Sequence, residues 1–420
     1  MTFNQKAIVY IFLSGDGYVP AGTLNHFPLE KYSTFQYGKK YLLRFNALPI
    51  DPVRLPLAQI VFKTPENQSI FNIFKDAAPD KWGRRVLSIM SGVKADAMTE
   101  FEILTAMSPQ YRIGALAFGS DARSGPESLA DWYKDDTFKK TIKNLKEIAK
   151  YVRLVDEIDD EDLDSFREML SHNQVLKEAL AISLSPAGGA RPKALVSYNG
   201  TDWIGKFPKR GDVWNEPLIE HGCLTLAGKC GIIVPETQII KQDGIDILLV
   251  KRFDKDEAGN PLHFASAFTI GDLFEDQSWG SYQDLASAAR RYGDADVGEQ
   301  IFRRMIFNVL CVNTDDHPRN HAFFIFRNKI KLTPAYDIVP CRFRFNDYNL
   351  ALKIGEQGNT ASIKNALSNV GPFGLSTKEA ESIVSKMQSI VSKWPDHFQA
   401  IGVNQKDLKE LEHRFSYGCG

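Results

Sequence analysis

The first 119 residues alternate between short apolar runs and stretches with helical spacing. We expect strands at AIVYIFL, YVPAGTL, FQYGKKYLLRFNA and IGALAF, because these runs are rich in β-branched and aromatic residues and are bounded by turn residues. The stretches FNIFKDAAPDKWGRRVLSIM and MTEFEILTAMS place apolar residues three and four positions apart, which predicts helices. The pattern therefore predicts an α+β module over residues 1–120.

Polar residues with Gly and Pro follow in SDARSGPESLADW, which we interpret as a linker. The next stretches, TIKNLKEIAKYVRLV and DLDSFREMLSHNQVLKEAL, have the apolar spacing of amphipathic helices. ALVSY and DWIGKF flank an Asn-Gly pair, and a second pair of apolar runs flanks Gln242-Asp243-Gly244; both patterns predict β-hairpins. We therefore assign residues 121–255 to a helical linker plus a β-rich lobe.

Helical spacing dominates after Asp254, so residues 256–420 are predicted to form a helical lobe. In VGEQIFRRMIFNVLCVN the apolar side chains fall on one face, which predicts a buried helix. FFIF and IKL, separated by a polar turn, predict a short hairpin downstream of that helix.

The 420 residues carry a formal net charge of −1, so the overall charge indicates neither a nucleic acid nor an anionic membrane as partner. The five cysteines form no CxxC pair, which is typical of a reducing cytosol. No apolar run is long enough to span a membrane, and AIVYIFL is followed by a Gly-Asp-Gly turn, as in a strand rather than a signal peptide. We expect a cytoplasmic protein with no membrane partner.

Titratable residues concentrate between the predicted buried helix and the hairpin, in NVLCVNTDDHPRNHAFFIF. We call residues 313–321 the catalytic loop; it contains Asp315, Asp316, His317, Asn320 and His321. Protein kinases use the same order of parts: an Asp-x-x-x-x-Asn loop and then a metal-binding Asp beyond a hairpin. Asp315 and Asn320 have that spacing.

Asp337 follows the hairpin and completes this order. The chemistry requires one carboxylate, Asp315, to accept the proton of the attacking hydroxyl. It also requires hard oxygen ligands for Mg²⁺, which the amide of Asn320 and the carboxylate of Asp337 supply. The spacing therefore predicts a phosphoryl-transfer site.

Upstream residues are candidates for the nucleotide contacts. The adjacent glycines of SPAGGARPK lie between predicted elements, where backbone N–H groups can approach phosphate oxygens. We call Ser185–Lys193 the Gly-rich loop. Lys206 stands where a kinase keeps its phosphate-pairing lysine, and Glu216 or Glu220 is the candidate partner that orients it. LLVKRFD, at the lobe boundary, is predicted as a hinge whose backbone binds adenine.

Together these motifs resemble the HipA-like serine/threonine kinases of bacterial toxin–antitoxin systems. The resemblance rests, in order, on SPAGGARPKA, GKFP, NEPLIEHGCLTLAGKCGIIVPET, VKRFD, NTDDHPRNH and LTPAYDIVP, and in the N-terminal module on FQYGKKYL, LPL, FKDAAPDKWGRR and IGALAF. It covers nearly the whole chain. The fold that it implies is an α+β, two-lobed protein-kinase-like fold, with a β-rich N-lobe, a helical C-lobe and an additional N-terminal α+β module.

The resemblance implies a role for each matching position. Asp315 is the implied catalytic base, and Asn320 and Asp337 are the implied Mg²⁺ ligands. The implied ATP contacts are Ala187, Gly188, Gly189, Ala190, Lys193, Lys206, Lys251, Phe253 and His317. Some family members autophosphorylate a serine of the Gly-rich loop; Ser185 is the nearest counterpart and Ser183 the second choice. A dianionic phosphoserine would repel ATP and so switch the enzyme off.

The resemblance also implies a reaction and partners. It implies an ATP-dependent protein kinase, a toxin linked to persistence, that phosphorylates a translation component such as an aminoacyl-tRNA synthetase. A helix-turn-helix antitoxin is the implied partner, and DNA contact would be indirect, through that antitoxin. Two positions depart from the family pattern: Asp316 stands where glycine is common, and GGARPK replaces a GAQEK-type loop. The offset to Asn320 favours Asp315 over Asp316 as the base.

Three other functions stay open. A metal-dependent hydrolase would use Asp315, Asp316, His317 and His321, since the two histidines are four residues apart; tight zinc binding would favour it. A catalytically silent corepressor would bind its antitoxin and transfer no phosphate. A small-molecule kinase would share the loop chemistry but act on a different acceptor.

Overall fold

The computed structural model describes residues 5–130, 145–158, 162–184, 189–274, 280–293 and 297–419. The chain divides into two compact units. The first comprises Met1–Arg210, Asp254–Ala265 and Ile325–Arg327, and the second comprises Gly211–Phe253, Ser266–Phe324 and Asn328–Gly420. Both units mix antiparallel strands with helices, which confirms the predicted α+β class. The predicted boundaries at residues 120 and 255 stay predictions.

An antiparallel sheet in the order β4–β3–β2–β1–β5 forms the N-terminal part of the first unit. Its strands are β1 (Gln5–Leu13), β2 (Gly17–Phe27), β3 (Tyr32–Tyr37), β4 (Val61–Lys63) and β5 (Leu116–Gly119). Alternate side chains of β1, such as Ala7, Val9 and Ile11, are completely buried. The period of two that predicts this strand therefore matches the burial of one of its faces.

Four helices accompany this sheet among the described residues: α1 (Lys39–Leu42), α2 (Asn72–Asp76), α3 (Lys81–Ser91) and α4 (Glu100–Thr105). The predicted strand FQYGKKYLLRFNA is wrong in its second half, because the chain turns into α1 after β3. Buried Tyr41 explains the change, since its hydroxyl donates to the Leu48 carbonyl at 2.7 Å and accepts from the Leu48 N–H.

The helical pattern FNIFKDAAPDKWGRRVLSIM is split into α2 and α3 at Pro79 and Asp80. Proline cannot continue a helix, and Asp80 starts the next one as its N-cap. The Asp80 carboxylate accepts a hydrogen bond from the Gly83 N–H at 2.8 Å. The sequence therefore predicts the helical residues correctly and misses the break.

The remainder of the first unit is helical up to a β-hairpin. Its elements are α5 (Leu145–Glu157), α6 (Leu163–Ser171), α7 (Gln174–Ser183), β6 (Lys193–Tyr198) and β7 (Thr201–Lys206). Asn199 and Gly200 have φ angles of 51° and 75°, so the hairpin closes through the left-handed conformations that an Asn-Gly pair favours. The predicted hairpin is confirmed.

Helices make up most of the second unit. They are α8 (Glu216–Lys229), α9 (Ala267–Ile270), α10 (Tyr282–Tyr292), α11 (Val297–Cys311), α12 (Ile363–Leu367), α13 (Thr377–Val391), α14 (Trp394–Ala400) and α15 (Gln405–Cys419). The strands in this part of the chain are β8 (Thr237–Gln242), β9 (Ile245–Lys251), β10 (Phe264–Ser266), β11 (Ala322–Ile325) and β12 (Ile330–Leu332). In the described parts of the chain, no helix has both the length and the apolar character needed to cross a membrane.

The predicted buried helix is α11. Its residues Ile301, Phe302 and Ile306 are completely buried, and Gly298 lies so close to the 371–373 turn that an added Cβ would be 2.1 Å from the Phe373 carbonyl oxygen. This helix leads directly into the catalytic loop and is held rigidly by its packing.

We expect His263 to make the first unit sensitive to acid. This histidine is buried, its Nε2 lies 2.8 Å from the Ile50 carbonyl oxygen, and its Nδ1 has no hydrogen-bond partner among the described residues. Burial lowers its pKa from 6.5 to about 4. Because the unfolded chain binds the proton more readily, the stabilisation present above pH 6.5 is lost as the pH falls towards 4.

The loss should be on the order of 3 kcal/mol, from the difference between these two pKa values. Urea unfolding at pH 7 and pH 4.5 measures it. His263→Gln keeps an amide donor for Ile50 but cannot titrate, so its pH dependence should be weaker, while exposed His172→Gln should behave like wild type. An identical pH dependence in His263→Gln and wild type would contradict this assignment.

Candidate active site

A strained residue, Val312, directly precedes the catalytic loop. After α11 ends at Cys311, Val312 has a φ of 56°, a left-handed conformation that is costly for a β-branched side chain. Its carbonyl oxygen accepts the Cys341 N–H at 2.8 Å. This backbone hydrogen bond joins the residue before the catalytic loop to the segment that follows Asp337. It therefore connects the two segments that carry Asp315 and Asp337.

Asp315 is fixed through its own carbonyl oxygen. That oxygen accepts the N–H of His317 at 2.9 Å and the side-chain Nδ2 of Asn320 at 2.8 Å. The Asn320 N–H in turn donates to the His317 carbonyl at 2.8 Å. The five-residue offset between Asp315 and Asn320 therefore has a local cause, since the loop folds back on its first residue.

A chain of buried polar groups connects the loop to helices α11 and α10. The Asp315 N–H donates to Asn313 Oδ1 at 3.3 Å, Asn313 Nδ2 donates to Asn308 Oδ1 at 3.2 Å, and Asn308 Nδ2 donates to the Tyr282 hydroxyl at 2.9 Å. Asn308, Asn313 and Tyr282 are all buried. Because each buried amide has a partner, this network stabilises one loop conformation.

The two adjacent aspartates have different environments. Asp316 is buried, and its carboxylate lies 2.9 Å from Nε2 of His321, which is buried as well. Asp315 is an exposed residue, although its carboxyl group is partly buried by its neighbours. Of the two, Asp315 has the carboxylate that a reactant can reach, whereas Asp316 holds the loop to His321.

Neighbouring charges act on the Asp315 carboxyl. Partial burial raises its pKa above the ordinary value; a positive charge on His317 lowers it, the charge of Asp337 raises it, and Arg342 lowers it. The charge of Asp337 thus acts on the Asp315 carboxyl. The φ of 59° at Asp337 is another left-handed conformation in a residue that is not glycine.

The residues present fit a magnesium ion. Two carboxylates, Asp315 and Asp337, are close enough to disfavour each other's charge, and a cation relieves such repulsion. Because Asn320 Nδ2 is committed to the Asp315 carbonyl, its amide oxygen is the group left for a ligand. In the described ranges no group of three or more His, Cys, Asp or Glu side chains is placed to hold a metal, whereas Mg²⁺ accepts few carboxylates and an amide oxygen.

The two predicted ATP contacts of the hinge, Lys251 and Phe253, lie in the second unit. Phe253 stacks on Tyr336 with ring centroids 5.7 Å apart, and the Tyr336 hydroxyl donates to the Arg319 carbonyl at 2.8 Å. Phe253 thus contacts Tyr336, the residue that precedes Asp337 in the sequence. Lys251 is exposed and its Nζ lies 2.9 Å from a carboxylate oxygen of Glu236.

The residues predicted in and around the Gly-rich loop lie in the first unit. Ser185, Ala187 and Gly188 are outside the described residues. Gly189 has a φ of 89°, Ala190 is exposed, and Lys193 pairs in register with Lys206 across the β6–β7 hairpin. Ser183 is buried at the end of α7, where its hydroxyl donates to the Ala179 carbonyl at 2.8 Å. Lys206 is half-buried, and its predicted pairing with Glu216 or Glu220 stays a prediction.

Three arginines hold the segment around the site. Arg342 and Arg414 escaped the sequence reasoning, whereas Arg304, which is expected to be solvated because it flanks the buried helix, is itself buried. Arg342 lies 2.6 Å from buried Glu216 of α8, Arg414 of α15 donates to the Cys341 carbonyl at 3.0 Å, and buried Arg304 of α11 donates to the Thr333 carbonyl. Burial lowers the Arg304 pKa to about 10. Each arginine holds the segment between Thr333 and Arg342, which carries Asp337. No spacing in the sequence marks them, because their partners are distant in the chain.

Family comparisons match both halves of the chain. Residues 185–394, half of the chain, match the HipA-like C-terminal domain, and residues 12–119 match the HipA N-terminal domain. A Haemophilus influenzae protein named "Putative kinase" is 29% identical over 175 residues, which are 37% of this chain and 51% of that protein. The chain thus spans about half the length of this curated relative.

Two solved structures are similar to the chain. HipA in the Shewanella oneidensis MR-1 toxin–antitoxin complex of HipA, HipB and operator DNA has a TM-score of 0.68 at 18% identity, with 98% of this chain and 96% of that chain covered. The Helicobacter pylori proinflammatory kinase CtkA has a TM-score of 0.39 at 13% identity, over 54% of this chain and 89% of its own. The second likeness is too weak to support any argument.

The match to HipA over nearly the full length of both chains confirms the predicted α+β, two-lobed kinase-like fold. Both family matches lie in the order in which the sequence motifs occur, with the catalytic loop and Asp337 inside the C-terminal one. The chain belongs to the HipA-like family.

Proposed function

We propose that this protein is an ATP-dependent serine/threonine protein kinase of the HipA type. The observation that supports the proposal is the arrangement around Asp315: an exposed residue whose carbonyl oxygen is bonded to the side chain of Asn320, and whose carboxyl group is acted on by the charge of Asp337. This is the set of groups that phosphoryl transfer to a hydroxyl requires.

In the proposed mechanism Asp315 orients the acceptor hydroxyl and takes its proton. Partial burial raises the pKa of this carboxyl. Asn320 and Asp337 would hold Mg²⁺, which neutralises charge on the transferred phosphoryl group when it is bound. Lys206 would contact the ATP phosphates. The rigid support from Asn313 and Asn308 keeps Asp315 from rearranging during the reaction.

The hydrolase alternative is less well supported by the geometry. It needs Asp316 and His321 as metal ligands, and these two side chains are buried and bonded to each other. The small-molecule kinase and the silent corepressor are distinguished from our proposal only by experiment, because both would keep the same loop.

The family also supports a proposal for the partners. We propose that the chain is the toxin of a toxin–antitoxin pair acting in the cytoplasm, and that it binds a helix-turn-helix antitoxin. The similar Shewanella protein was solved with HipB and operator DNA, which supports such a partner and an indirect contact with DNA. A translation component such as an aminoacyl-tRNA synthetase is the proposed substrate.

Asp315→Asn should abolish phosphate transfer while leaving the fold intact. Removal of a general base lowers the rate of the chemical step by about 10²-fold to 10⁴-fold. Asp316→Asn should keep transfer within about tenfold of wild type and lower the thermal midpoint, because a buried charge-assisted hydrogen bond to His321 is weakened. Transfer from labelled ATP with Mg²⁺, measured beside thermal unfolding, tests both variants.

Loss of phosphate transfer in Asp316→Asn, with transfer retained in Asp315→Asn, would assign the base to Asp316. Tight zinc binding without any ATP binding would reject the kinase and favour the hydrolase.

Autophosphorylation should modify Ser185 and not Ser183. Ser183 is buried and bonded within α7, so its hydroxyl is accessible only if that helix end opens. We expect mass spectrometry of residues 183–193 to find phosphate on Ser185 in wild type and none in Ser185→Ala or Asp315→Asn. Ser183→Ala is the matched control and should be modified as wild type is. Phosphate on Ser183 would show that the end of α7 unfolds during the reaction.

A further inference from the structure

The base of the Gly-rich loop rests on the first turn of α3. The described residues that flank the undescribed positions 185–188 are Leu184 and Gly189. The Trp82 N–H donates to the Gly189 carbonyl at 3.4 Å. A Cβ added to Gly83 would lie 3.1 Å from the Leu184 carbonyl oxygen. Buried Leu184 therefore lies against the same turn of α3. All of these residues belong to the first unit.

Lys193 makes the strongest contact of this base. It is 1% exposed, and its Nζ lies 2.8 Å from Asp80 Oδ2 and 3.0 Å from the Gly189 carbonyl oxygen. The Lys193 carbonyl accepts the indole N–H of Trp82 at 3.1 Å. We call Asp80, Trp82, Gly189 and Lys193 the clasp.

Local structure prepares Asp80 for this contact. As the N-cap of α3 it accepts the Gly83 N–H with Oδ1, which leaves Oδ2 for Lys193. Gly83 is required for the close approach, because a Cβ there would lie 2.8 Å from Cβ of Pro79. The sequence APDKWG thus presents a carboxylate in a fixed direction next to an indole N–H.

The charge balance favours a structural role for Lys193. A buried ammonium group is stable only when it is paired, and loss of one partner of such a pair is strongly unfavourable. Asp80 is 113 residues away in the chain and is supplied by the N-terminal module. The same interaction therefore ties that module to the base of the nucleotide loop.

We propose that Asp80, Trp82 and Lys193 are positioning residues for nucleotide binding. They fix the base of the Gly-rich loop on α3, so that ATP affinity depends on the N-terminal module, and Lys193 acts through this contact and not by touching phosphate. The inference rests on the proposed kinase function, in which the Gly-rich loop covers the ATP phosphates.

The test compares Asp80→Asn, Lys193→Met, the double variant and wild type in the full-length protein. Two quantities are measured: amide hydrogen exchange of residues 183–193 without nucleotide, and the KM for ATP together with kcat. In Asp80→Asn, loop exchange rises, the KM for ATP increases about tenfold and kcat at saturating ATP changes less than about threefold. The double variant is no worse than the single ones, because both act on one contact.

Glu100→Gln is the matched control. Glu100 of α4 pairs with Arg84 of α3 at 2.7–2.9 Å and does not belong to the clasp. Loop exchange and the KM for ATP therefore stay at wild-type values in this variant. Trp82→Phe removes the indole hydrogen bond to the Lys193 carbonyl and keeps an aromatic ring. If Asp80→Asn does not fold, Trp82→Phe takes its place in the same two measurements.

Two results overturn the proposal. The first is wild-type loop exchange and ATP affinity in both Asp80→Asn and Trp82→Phe. The second is a far larger loss of ATP affinity in Lys193→Met than in Asp80→Asn with no change in loop exchange, which would place Lys193 on the nucleotide. A wild-type protein that binds no ATP, with exchange still raised in Asp80→Asn, rejects the kinase function and leaves the clasp in place.

Discussion

Two hydrogen bonds to one carbonyl oxygen, that of Asp315, determine the shape of the catalytic loop. The main chain of His317 and the side chain of Asn320 both donate to it, which closes the loop within six residues. The side chain of Asn320 is then directed towards the same side as Asp315 without help from a distant element. A different spacing between these two residues would separate the amide from its acceptor, because a hydrogen bond weakens steeply with distance and angle.

The rest of the site works to keep that loop in place. Buried Asp316 and His321 hold its second half, and the amide chain through Asn313 and Asn308 holds its first half. Buried polar groups are costly when they lack partners, so the paired amides of Asn313 and Asn308 favour one conformation of the loop. The strain at Val312 is consistent with such support, since a left-handed valine persists only where its surroundings require it.

Each unit secures its functional loop with an element from far along the chain. In the second unit, Arg414 of the C-terminal helix α15 donates to the carbonyls of Cys341 and Arg342 and so braces the segment after Asp337. In the first unit, α3 of the N-terminal module carries the clasp for Lys193. The parts that look like scaffold in the sequence therefore set the geometry of the residues that carry the chemistry.

The sequence by itself determined most strands and helices, the Asn-Gly hairpin, and the five-residue offset over which Asn320 returns to the Asp315 main chain. These features depend on side-chain period and on hydrogen bonds between residues a few positions apart, which spacing alone encodes. The α1 turn within FQYGKKYLLRFNA, the burial of Asp316 and Arg304, and the partner of Lys193 were decided only by the tertiary structure. Burial and long-range ion pairs depend on which distant elements pack together, and no local pattern records that choice.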